Sequence, residues 1–327
     1  MIGRFLAAKG QSQSEPEKLF LCENLQFLTN SARIFRISNK NSFQSDHYSL
    51  ILKRTVLYLH KLFLNMVLEK MNLKPQDFLN ARKRLLQMHF ESGVGHIGGN
   101  LSSIDAMLIV FHEFFKGMDK FVLSKGHSAG ALYITLWSIG RLKDDDLKSF
   151  HSDNTLLAGH PPAKGIEDIP FATGSLGHGL SLAAGTALGF RLKNNDAHVY
   201  CLTSDGEWQE GSTWEALIFA CHHKLDNLTV LVDHNNFQGF GSTDQIASMS
   251  PLWEKLKGFD VELHVVNGHD PDDIRDVLAS KQRRFRIIIL STVKGRGVSF
   301  MENRMDSHYL PLTAERYRQA MEEIDSK

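Results

Sequence analysis

The chain has 327 residues, 42% of them hydrophobic, which suffices for one substantial core or two modest ones. Its formal net charge of zero gives no reason to expect nucleic-acid binding, and Lys53 and Arg54 interrupt the most apolar early segment before it could span a membrane. The three cysteines lack metal-ligand spacing, so they favour a reducing, cytoplasmic location over a disulfide framework.

The first 65 residues differ in composition from the rest of the chain. Lys and Arg outnumber Asp and Glu nine to four there, glycine is scarce, and neither a steady hydrophobic period nor a signal-peptide core is present. The acidic residues argue against a transit peptide. We therefore predict that residues 1–65 are an atypical extension outside the core, appended or mis-started, with Met66 or Met71 as the natural beginning. Residues 66–327 are predicted to form one domain.

Beyond Lys74 the pattern becomes regular, and its first loop is rich in glycine. A helix is predicted to end near Gly93, and G-V-G-H-I-G-G follows, in which glycines let a ligand approach the backbone closely. Ser102 or Ser103 is placed to cap the helix after this loop. His96 lies among the glycines, where a histidine has little to pack against, so a binding role is favoured over a core role.

Two further histidines lie in predicted loops. Phe121-Val122-Leu123 predicts a short strand that leads into S-K-G-H-S-A-G-A-L-Y, which contains His127. After a polar helical segment from Asp144 to Phe150, L-A-G-H-P-P places His160 before two prolines that stiffen the loop. A histidine held on a stiff polar loop has little structural purpose.

The segment T-G-S-L-G-H-G-L-S-L-A-A-G-T-A-L-G predicts a helix with a small-residue face. Gly185 and Gly189, with the alanines between and before them, imply tight packing against another helix. We predict that this helix starts at residues 174–177, where free N–H groups and the positive end of the helix dipole form an anion site. The candidate ligand-binding residues there are Gly174, Ser175 and Leu176.

Two consecutive predicted strands each end in metal-binding side chains. Cys201-Leu202-Thr203 leads into S-D-G-E-W-Q-E-G, and the run from Leu228 to Val232 leads into D-H-N-N-F-Q-G-F-G. A crossover helix between them makes the strands parallel, so Asp205 and Asn235 should meet at one edge of the sheet. A carboxylate and an amide oxygen suit Mg²⁺ or Ca²⁺. Because two side chains cannot form a closed cage, backbone oxygen, water and a ligand's phosphates should complete the coordination.

The remaining pattern continues the alternation of strands and helices. A strand is predicted from Asp260 to Val266, and Asp270 caps a helix that runs from Pro271 to about Lys281. The last strand is predicted over residues 286–293. The chain is therefore predicted to be α/β, a doubly wound, mostly parallel sheet with helices on both faces.

Together the motifs resemble the transketolase branch of the thiamine-diphosphate-dependent enzymes. The S-D-G and N-N motifs are similar to the family's G-D-G followed by N-N, with Ser204 in place of the first glycine. G-H-I-G-G-N-L resembles the family's S-G-H-P-G, with Ile97 in place of proline, and L-S-K-G-H and T-G-S-L-G-H-G-L-S match two further motifs. The resemblance covers roughly Lys70 to the C-terminus.

The resemblance implies a thiamine diphosphate cofactor held by Mg²⁺, for which Ca²⁺ or Mn²⁺ can substitute. It assigns the metal to Asp205, Asn235 and the backbone oxygen of Phe237. It assigns the cofactor to His127, Gly174, Ser175, Leu176, Gly206, Glu207 and Asn235. It assigns substrate binding and proton transfer to His96, His160 and His308. Histidine suits this role because the pKa of imidazole lies near neutrality. For His308, which Tyr309 follows where the family has glycine, a solvated surface histidine is the alternative.

The resemblance is confined to the first domain of a full-length transketolase. The second, pyrimidine-binding domain supplies a glutamate that activates the cofactor. We therefore expect the N-terminal subunit of a split transketolase, which transfers a two-carbon ketol unit between sugars or sugar phosphates. A C-terminal subunit with the pyrimidine-binding domain should complete it, with two copies of each chain. Glu210 and Glu215 resemble interface carboxylates, although acidic residues are also favourable in a first helical turn.

Other classes of protein fit the sequence less well. The α-subunit of a 2-oxoacid dehydrogenase also lacks the second domain, but L-S-K-G-H and G-H-P argue against it. A deoxyxylulose-phosphate synthase normally keeps its domains in one chain. A cofactor-free scaffold is suggested by Ser204 and by the atypical first 65 residues, whereas the intact Asp205, Asn235 and histidines argue for an enzyme.

Overall fold

The computed structural model describes residues 72–327 of the chain. The predicted extension over residues 1–65 and the predicted start of the domain at Met66 lie outside the described residues, so both stay predictions. Among the helices of residues 72–327, none combines the length and apolar character that crossing a membrane requires.

A five-stranded parallel sheet forms the centre of the described chain. Numbered along the chain, its strands are β1 (Lys120–Leu123), β2 (Val199–Ser204), β3 (Leu228–His234), β6 (Glu262–Asn267) and β7 (Arg286–Ser291). Their spatial order is β1-β2-β3-β7-β6, and every pairing is parallel. Two short strands, β4 (Phe237–Gln238) and β5 (Gly241–Ser242), form a separate antiparallel pair after β3.

Helices connect the strands and cover the sheet. In the described residues they are α1 (Pro75–Ser92), α2 (Ile97–Ile109), α3 (Ala129–Ser138), α4 (Asp144–Leu147), α5 (Gly179–Leu192), α6 (Gly211–His222), α7 (Thr243–Ala247), α8 (Leu252–Leu256), α9 (Pro271–Ala279), α10 (Asp306–Tyr309) and α11 (Ala314–Asp325). A π-helical turn, Val110–Phe114, extends α2. Because all five strands are parallel, their carboxyl-terminal ends lie along the same edge of the sheet. The helices form the crossover connections that parallel strands require.

The sheet is buried on both faces, as the side chains of β3 show. Val230 and Val232 belong to a cluster with α5 and α6, whereas Leu231 belongs to a second cluster with α1, α2 and α3. Successive strand residues point to opposite faces, so helices must cover both sides to bury this continuous apolar run. The predicted α/β fold with helices on both faces is confirmed.

Several local predictions are confirmed at the residue level. Helix α1 ends at Ser92, and Gly93 follows in the left-handed conformation with φ of 66°. Asp270 caps α9 by accepting a hydrogen bond from the backbone N–H of Asp272, and Pro271 occupies the first turn. These signals are local, because capping satisfies backbone groups within one helical turn.

The predicted cap of α2 and the predicted start of α5 are wrong. Helix α2 begins at Ile97, so Ser102 and Ser103 lie inside it. The Ser103 hydroxyl donates to the carbonyl of Gly99, and the Ser102 hydroxyl, which lies 3.1 Å from the same carbonyl, has its shorter contact to Asp233, at 2.6 Å. Helix α5 begins at Gly179 rather than at residues 174–177. Gly174 and Gly177 have φ of 145° and 84°, which a right-handed helix cannot include, so this segment is a loop.

The small-residue face of α5 is only partly packed. Ala183, Ala184 and Ala187 are buried against the sheet and α6. By contrast, apart from their chain neighbours and the backbone of α5 itself, no described atom lies within 4 Å of where a side-chain carbon would stand at Gly185 or Gly189. The predicted tight helix packing therefore holds for the alanines, and the glycine side of α5 is open within residues 72–327.

Candidate functional site

The carboxyl ends of β2 and β3 bring the two predicted metal-binding side chains to one place. Ser204 is the register partner of Asp233, and the next backbone N–H, that of Asp205, donates to the Asp233 carbonyl at 3.1 Å. Asp205 and Asn235 are each only 4% exposed. The parallel-sheet argument from sequence thus predicts their meeting place correctly.

Asp205 is a buried carboxyl group that has no cationic partner among the described residues. Its two oxygens accept hydrogen bonds from the backbone N–H groups of Gly206, at 2.8 Å, and Asn236, at 2.5 Å. Burial raises the pKa of Asp205 to about 7, and the nearby Asp233 carboxylate adds to this effect. A buried carboxylate left without a counter-charge is costly, and a bound cation removes that cost.

The donor atoms around Asp205 fit magnesium. The side-chain oxygen of Asn235 accepts from the Phe237 N–H at 3.0 Å, and its amide nitrogen donates to Asp233 at 3.2 Å, which fixes the side chain's orientation. Within residues 72–327 no group of three or more His, Cys, Asp and Glu side chains could hold a metal on its own. The set of one carboxylate, one amide oxygen and backbone oxygen therefore suits a hard cation whose other ligands come from phosphate and water.

A buried ion pair, absent from the sequence-based predictions, supports this edge. The Lys125 ammonium donates to Asp233 and, at 3.0 Å, to the Gly99 carbonyl. Asp233 also accepts from Thr292 at 2.5 Å and from Ser102 at 2.6 Å. Although burial acts to raise the pKa of Asp233, the Lys125 charge and these hydrogen bonds hold it below its ordinary value. The pair ties the ends of β1, β3 and β7 to α2.

Glu207, predicted to bind the cofactor, uses both of its oxygens within the chain. It is fully buried and accepts from the N–H groups of Ser204, at 2.8 Å, and Gly177, at 3.1 Å, as well as from the Ser124 hydroxyl. Glu207 thereby holds the loop of residues 174–177 against β1 and β2. The Ser204 hydroxyl lies 3.4 Å from the same carboxylate, so the serine is accommodated where the family has glycine.

The loop of residues 174–177 lies against the loops that carry two of the histidines. A side-chain carbon on Gly174 would stand 2.8 Å from the His160 ring. A side-chain carbon on Gly126, next to His127, would stand 2.8 Å from the Gly174 nitrogen. These close approaches explain why glycine is needed at both positions. Two other predicted residues of the site differ in burial, since Ser175 is exposed and Gly206 is buried.

The four predicted histidines form one cluster around His96. The His96 ring centroid lies 6.2 Å from that of His127, 6.2 Å from that of His160 and 5.1 Å from that of His308. His96 adopts the left-handed conformation, with φ of 63°, directly before α2, and its N–H donates to the His308 carbonyl at 2.8 Å. His308 is only 9% exposed, so the alternative of a solvated surface histidine is wrong.

These imidazoles are neutral near pH 7. Burial lowers the pKa of His96 and of His127, and burial together with the Lys294 charge lowers the pKa of His308 to about 3. The Nδ1 atom of His308 lies 2.9 Å from the Lys294 ammonium and must accept from it, which leaves the proton of the neutral ring on Nε2. A neutral ring is a donor at one nitrogen and an acceptor at the other, and His308 already uses its acceptor nitrogen for Lys294.

Sequence reasoning missed three residues of this edge: Lys125, Asp233 and Lys294. Each stands within or directly after a strand, in L-S-K-G-H, V-D-H-N-N and T-V-K-G-R-G. Their position after buried strands is the signal that could have found them.

Comparison with known proteins identifies the class to which this site belongs. Residues 84–325 match the family model described as transketolase, thiamine diphosphate binding domain. The described fold is thus that of a thiamine-diphosphate-binding domain. The chain belongs to the transketolase family.

Relatives of similar length carry the name of transketolase subunits. A protein of Phocaeicola vulgatus, named as one subunit of an apulose-4-phosphate transketolase, is 32% identical over 75% of this chain and 92% of its own length. A protein of a Clostridium species, named as one subunit of a 6-deoxy-6-sulfo-D-fructose transketolase, is 33% identical over 75% of this chain and 94% of its own length. Both relatives therefore match this chain over almost their whole length.

A solved transketolase shares the fold but is longer. The structure from Campylobacter jejuni superimposes with a TM-score of 0.71 and 28% identity, and the match covers 77% of this chain. The same match covers only 43% of the Campylobacter chain. This chain therefore corresponds to less than half of that transketolase.

Proposed function

We propose that this chain is the N-terminal, cofactor-binding subunit of a two-chain transketolase that transfers a two-carbon ketol unit between sugars or sugar phosphates. The observation that carries the proposal is the convergence, at one sheet edge, of an unpaired buried carboxyl group at Asp205 with a cluster of four histidines. The names of relatives that match this chain over almost their own whole length support the two-chain arrangement.

In this proposal the sheet edge holds thiamine diphosphate through Mg²⁺. Asp205, the Asn235 side-chain oxygen and the Phe237 backbone oxygen would bind the metal, because no described cation neutralises Asp205. When bound, thiamine diphosphate supplies the nucleophilic carbon that accepts the two-carbon unit. His127 and the loop of residues 174–177 would bind the diphosphate, and Glu207 would position that loop through its bond to Gly177.

The three remaining histidines would act on the substrate. His308 presents a neutral ring whose Nε2 carries the proton, so it would donate a hydrogen bond to a carbonyl or hydroxyl oxygen of the sugar. His96 and His160 lie on either side of the same space, on two different loops. A neutral imidazole can accept a proton from a substrate oxygen and return it later in the reaction, which suits proton transfer at substrate oxygens.

The proposed partner is a C-terminal subunit that contains the pyrimidine-binding domain and its activating glutamate. Candidate contact surfaces on this chain are the open glycine side of α5 and the exposed Glu210 and Glu215 at the start of α6. By analogy with dimeric transketolases, two copies of each chain would assemble. The two free cysteines of the described chain, Cys201 and Cys221, are compatible with the proposed cytoplasmic location.

The test is an assay of ketol transfer with the full-length chain, thiamine diphosphate and Mg²⁺, with and without the candidate second chain. We expect negligible turnover of a ketose phosphate donor by this chain alone and full turnover by the pair. Full turnover by the isolated chain would contradict the two-chain proposal. Use of a 2-oxoacid donor in place of a ketose phosphate by the pair would contradict the assignment as a transketolase.

A further inference from the structure

Tyr309 stands where the family motif has glycine, and its ring lies against the histidine cluster. It is the last residue of α10, and its side chain is 53% exposed. The centroid of its ring lies 4.5 Å from that of His308 and 6.2 Å from that of His96. Two of the three histidines proposed to act on the substrate are therefore next to an aromatic ring that the family motif does not contain.

Contacts at both ends of Tyr309 fix the position of its ring. The hydroxyl donates a hydrogen bond to the Gly239 carbonyl at 2.6 Å, and Gly239 and Phe240 form the turn between β4 and β5. At the backbone end, the Tyr309 carbonyl lies so close to Gly95 that a side-chain carbon there would clash with it. The tyrosine thus joins the loop that carries His96 to the turn that follows the proposed metal-binding residues.

Gly239 and Tyr309 are complementary in shape. A side-chain carbon on Gly239 would stand 2.9 Å from the Tyr309 hydroxyl, which is closer than side-chain carbons approach other atoms, and 3.7 Å from the Nε2 of His308. The tyrosine hydroxyl and the proton-bearing nitrogen of His308 therefore face the same turn. His308 is 9% exposed and Tyr309 is 53% exposed, so the tyrosine ring lies on the solvent side of the histidine. A substrate that reaches His308 must pass beside this ring.

We propose that Tyr309 is a specificity-determining residue, which limits the size of the sugar substrate at the entrance to the histidine cluster. This inference rests on the proposed function. The reacting carbons of every sugar meet the same histidines, so a ring at the entrance acts on the part of the sugar chain that is remote from them. Glycine at position 309 would leave this space open, whereas tyrosine fills it. Longer sugar chains should therefore be disfavoured relative to shorter ones.

The experiment measures kcat/KM of the two-chain enzyme, with one ketose phosphate donor, for two acceptors that differ in length and both carry a phosphate. These acceptors are glyceraldehyde 3-phosphate and ribose 5-phosphate. Tyr309→Ala and Tyr309→Gly remove the ring, and the matched control Tyr309→Phe keeps the ring and removes only the hydroxyl. We expect both ring deletions to raise the ratio of kcat/KM for the longer acceptor over the shorter about tenfold, the lower end of what a pocket obtains from a single methylene group. Tyr309→Phe should keep the wild-type ratio.

Two measurements separate a role in specificity from a structural role. Because Tyr309 is more than half exposed, the melting temperature of Tyr309→Ala should stay close to that of wild type. A markedly lower melting temperature, with kcat/KM reduced equally for both acceptors, would mean that the tyrosine supports the loops, and would overturn the inference. Weaker association of the two subunits with an unchanged acceptor ratio would place Tyr309 in the subunit interface, and would overturn it as well.

The remaining outcomes distinguish this inference from the proposed function. If the pair transfers ketol units and the ring deletions leave the acceptor ratio unchanged, the inference is overturned while the proposed function stands. The same holds if Tyr309→Phe changes the ratio as much as Tyr309→Ala, since the hydroxyl rather than the ring would then be responsible. If the wild-type pair transfers no ketol unit to either acceptor, the proposed function fails and this inference fails with it.

Discussion

Removing one partner of the Lys125–Asp233 ion pair should destabilise the chain more than replacing both partners by neutral side chains. Both side chains are fully buried, and the pair joins the ends of β1 and β3 beneath the proposed metal site. Lys125→Met leaves the Asp233 carboxylate buried with only the neutral donors of Ser102, Thr292 and Asn235. Loss of one partner of a buried ion pair costs about 3–5 kcal/mol. Because three neutral hydrogen bonds to Asp233 remain, we expect a value near the lower end, about 3 kcal/mol.

The double variant Lys125→Met with Asp233→Asn makes the test sharp. It removes both charges and keeps an amide that can still bond to Ser102 and Thr292, so its free energy of unfolding should exceed that of Lys125→Met alone. Urea denaturation of the four proteins of the double-mutant cycle measures the coupling between the two positions. For a domain of this size, the single variant should melt about 6–12 °C below wild type.

Two results would refute this reasoning about the pair. A loss below about 1 kcal/mol in Lys125→Met would mean that Asp233 is adequately stabilised by its neutral donors, near the net value of one ordinary hydrogen bond. A double variant less stable than either single variant would mean that the interaction itself, rather than the isolated charge, supports the fold.

Three other outcomes follow from the structure and the sequence. Asp205→Ala should abolish Mg²⁺-dependent binding of thiamine diphosphate, seen by calorimetry, with an unchanged circular dichroism spectrum, because it removes the main anionic ligand at a sheet edge. Burial lowers the pKa of His89 from 6.5 to about 4, so the neutral ring stabilises the fold above pH 6.5 and this contribution is lost as the pH falls toward 4. Between pH 6.5 and pH 4, the free energy of unfolding of His89→Leu, measured by urea denaturation, should therefore fall by about 3 kcal/mol less than that of wild type. Deletion of residues 1–65 should leave solubility and cofactor binding intact, because their composition does not match the core, and insoluble protein would contradict this.

The sheet and the central pair of site residues could be predicted because their determinants are local. The apolar runs that become β2 and β3 are continuous, and polar residues follow each run. Parallel pairing then places Asp205 beside the end of β3 without knowledge of any distant contact. The cap at Asp270 is equally local, since its hydrogen bond reaches only to Asp272.

The start of α5 could not be predicted because distant residues decide it. Glycines at a helix start and glycines in a left-handed loop have the same sequence signature. Here Glu207, thirty residues further on, accepts the N–H of Gly177 and holds the loop open. Ser102 gives a second example, because its hydroxyl serves Asp233, more than a hundred residues away, rather than its own helix end. Local sequence propensity cannot identify either of these distant partners, Glu207 and Asp233.

The two buried lysines show the same limit and also indicate what the site requires. A lysine in a loop is ordinarily exposed, so the residue type alone does not indicate that Lys125 and Lys294 are buried. In the structure, Lys125 is neutralised by Asp233 and serves as part of the scaffold, whereas Lys294 and Asp205 lack ion-pair partners among the described residues. If the edge served stability alone, the latter two charges would be better replaced by apolar residues or joined to each other. Asp205 in particular is better explained by the proposed metal site, because a bound cation removes the cost of an uncompensated buried carboxylate.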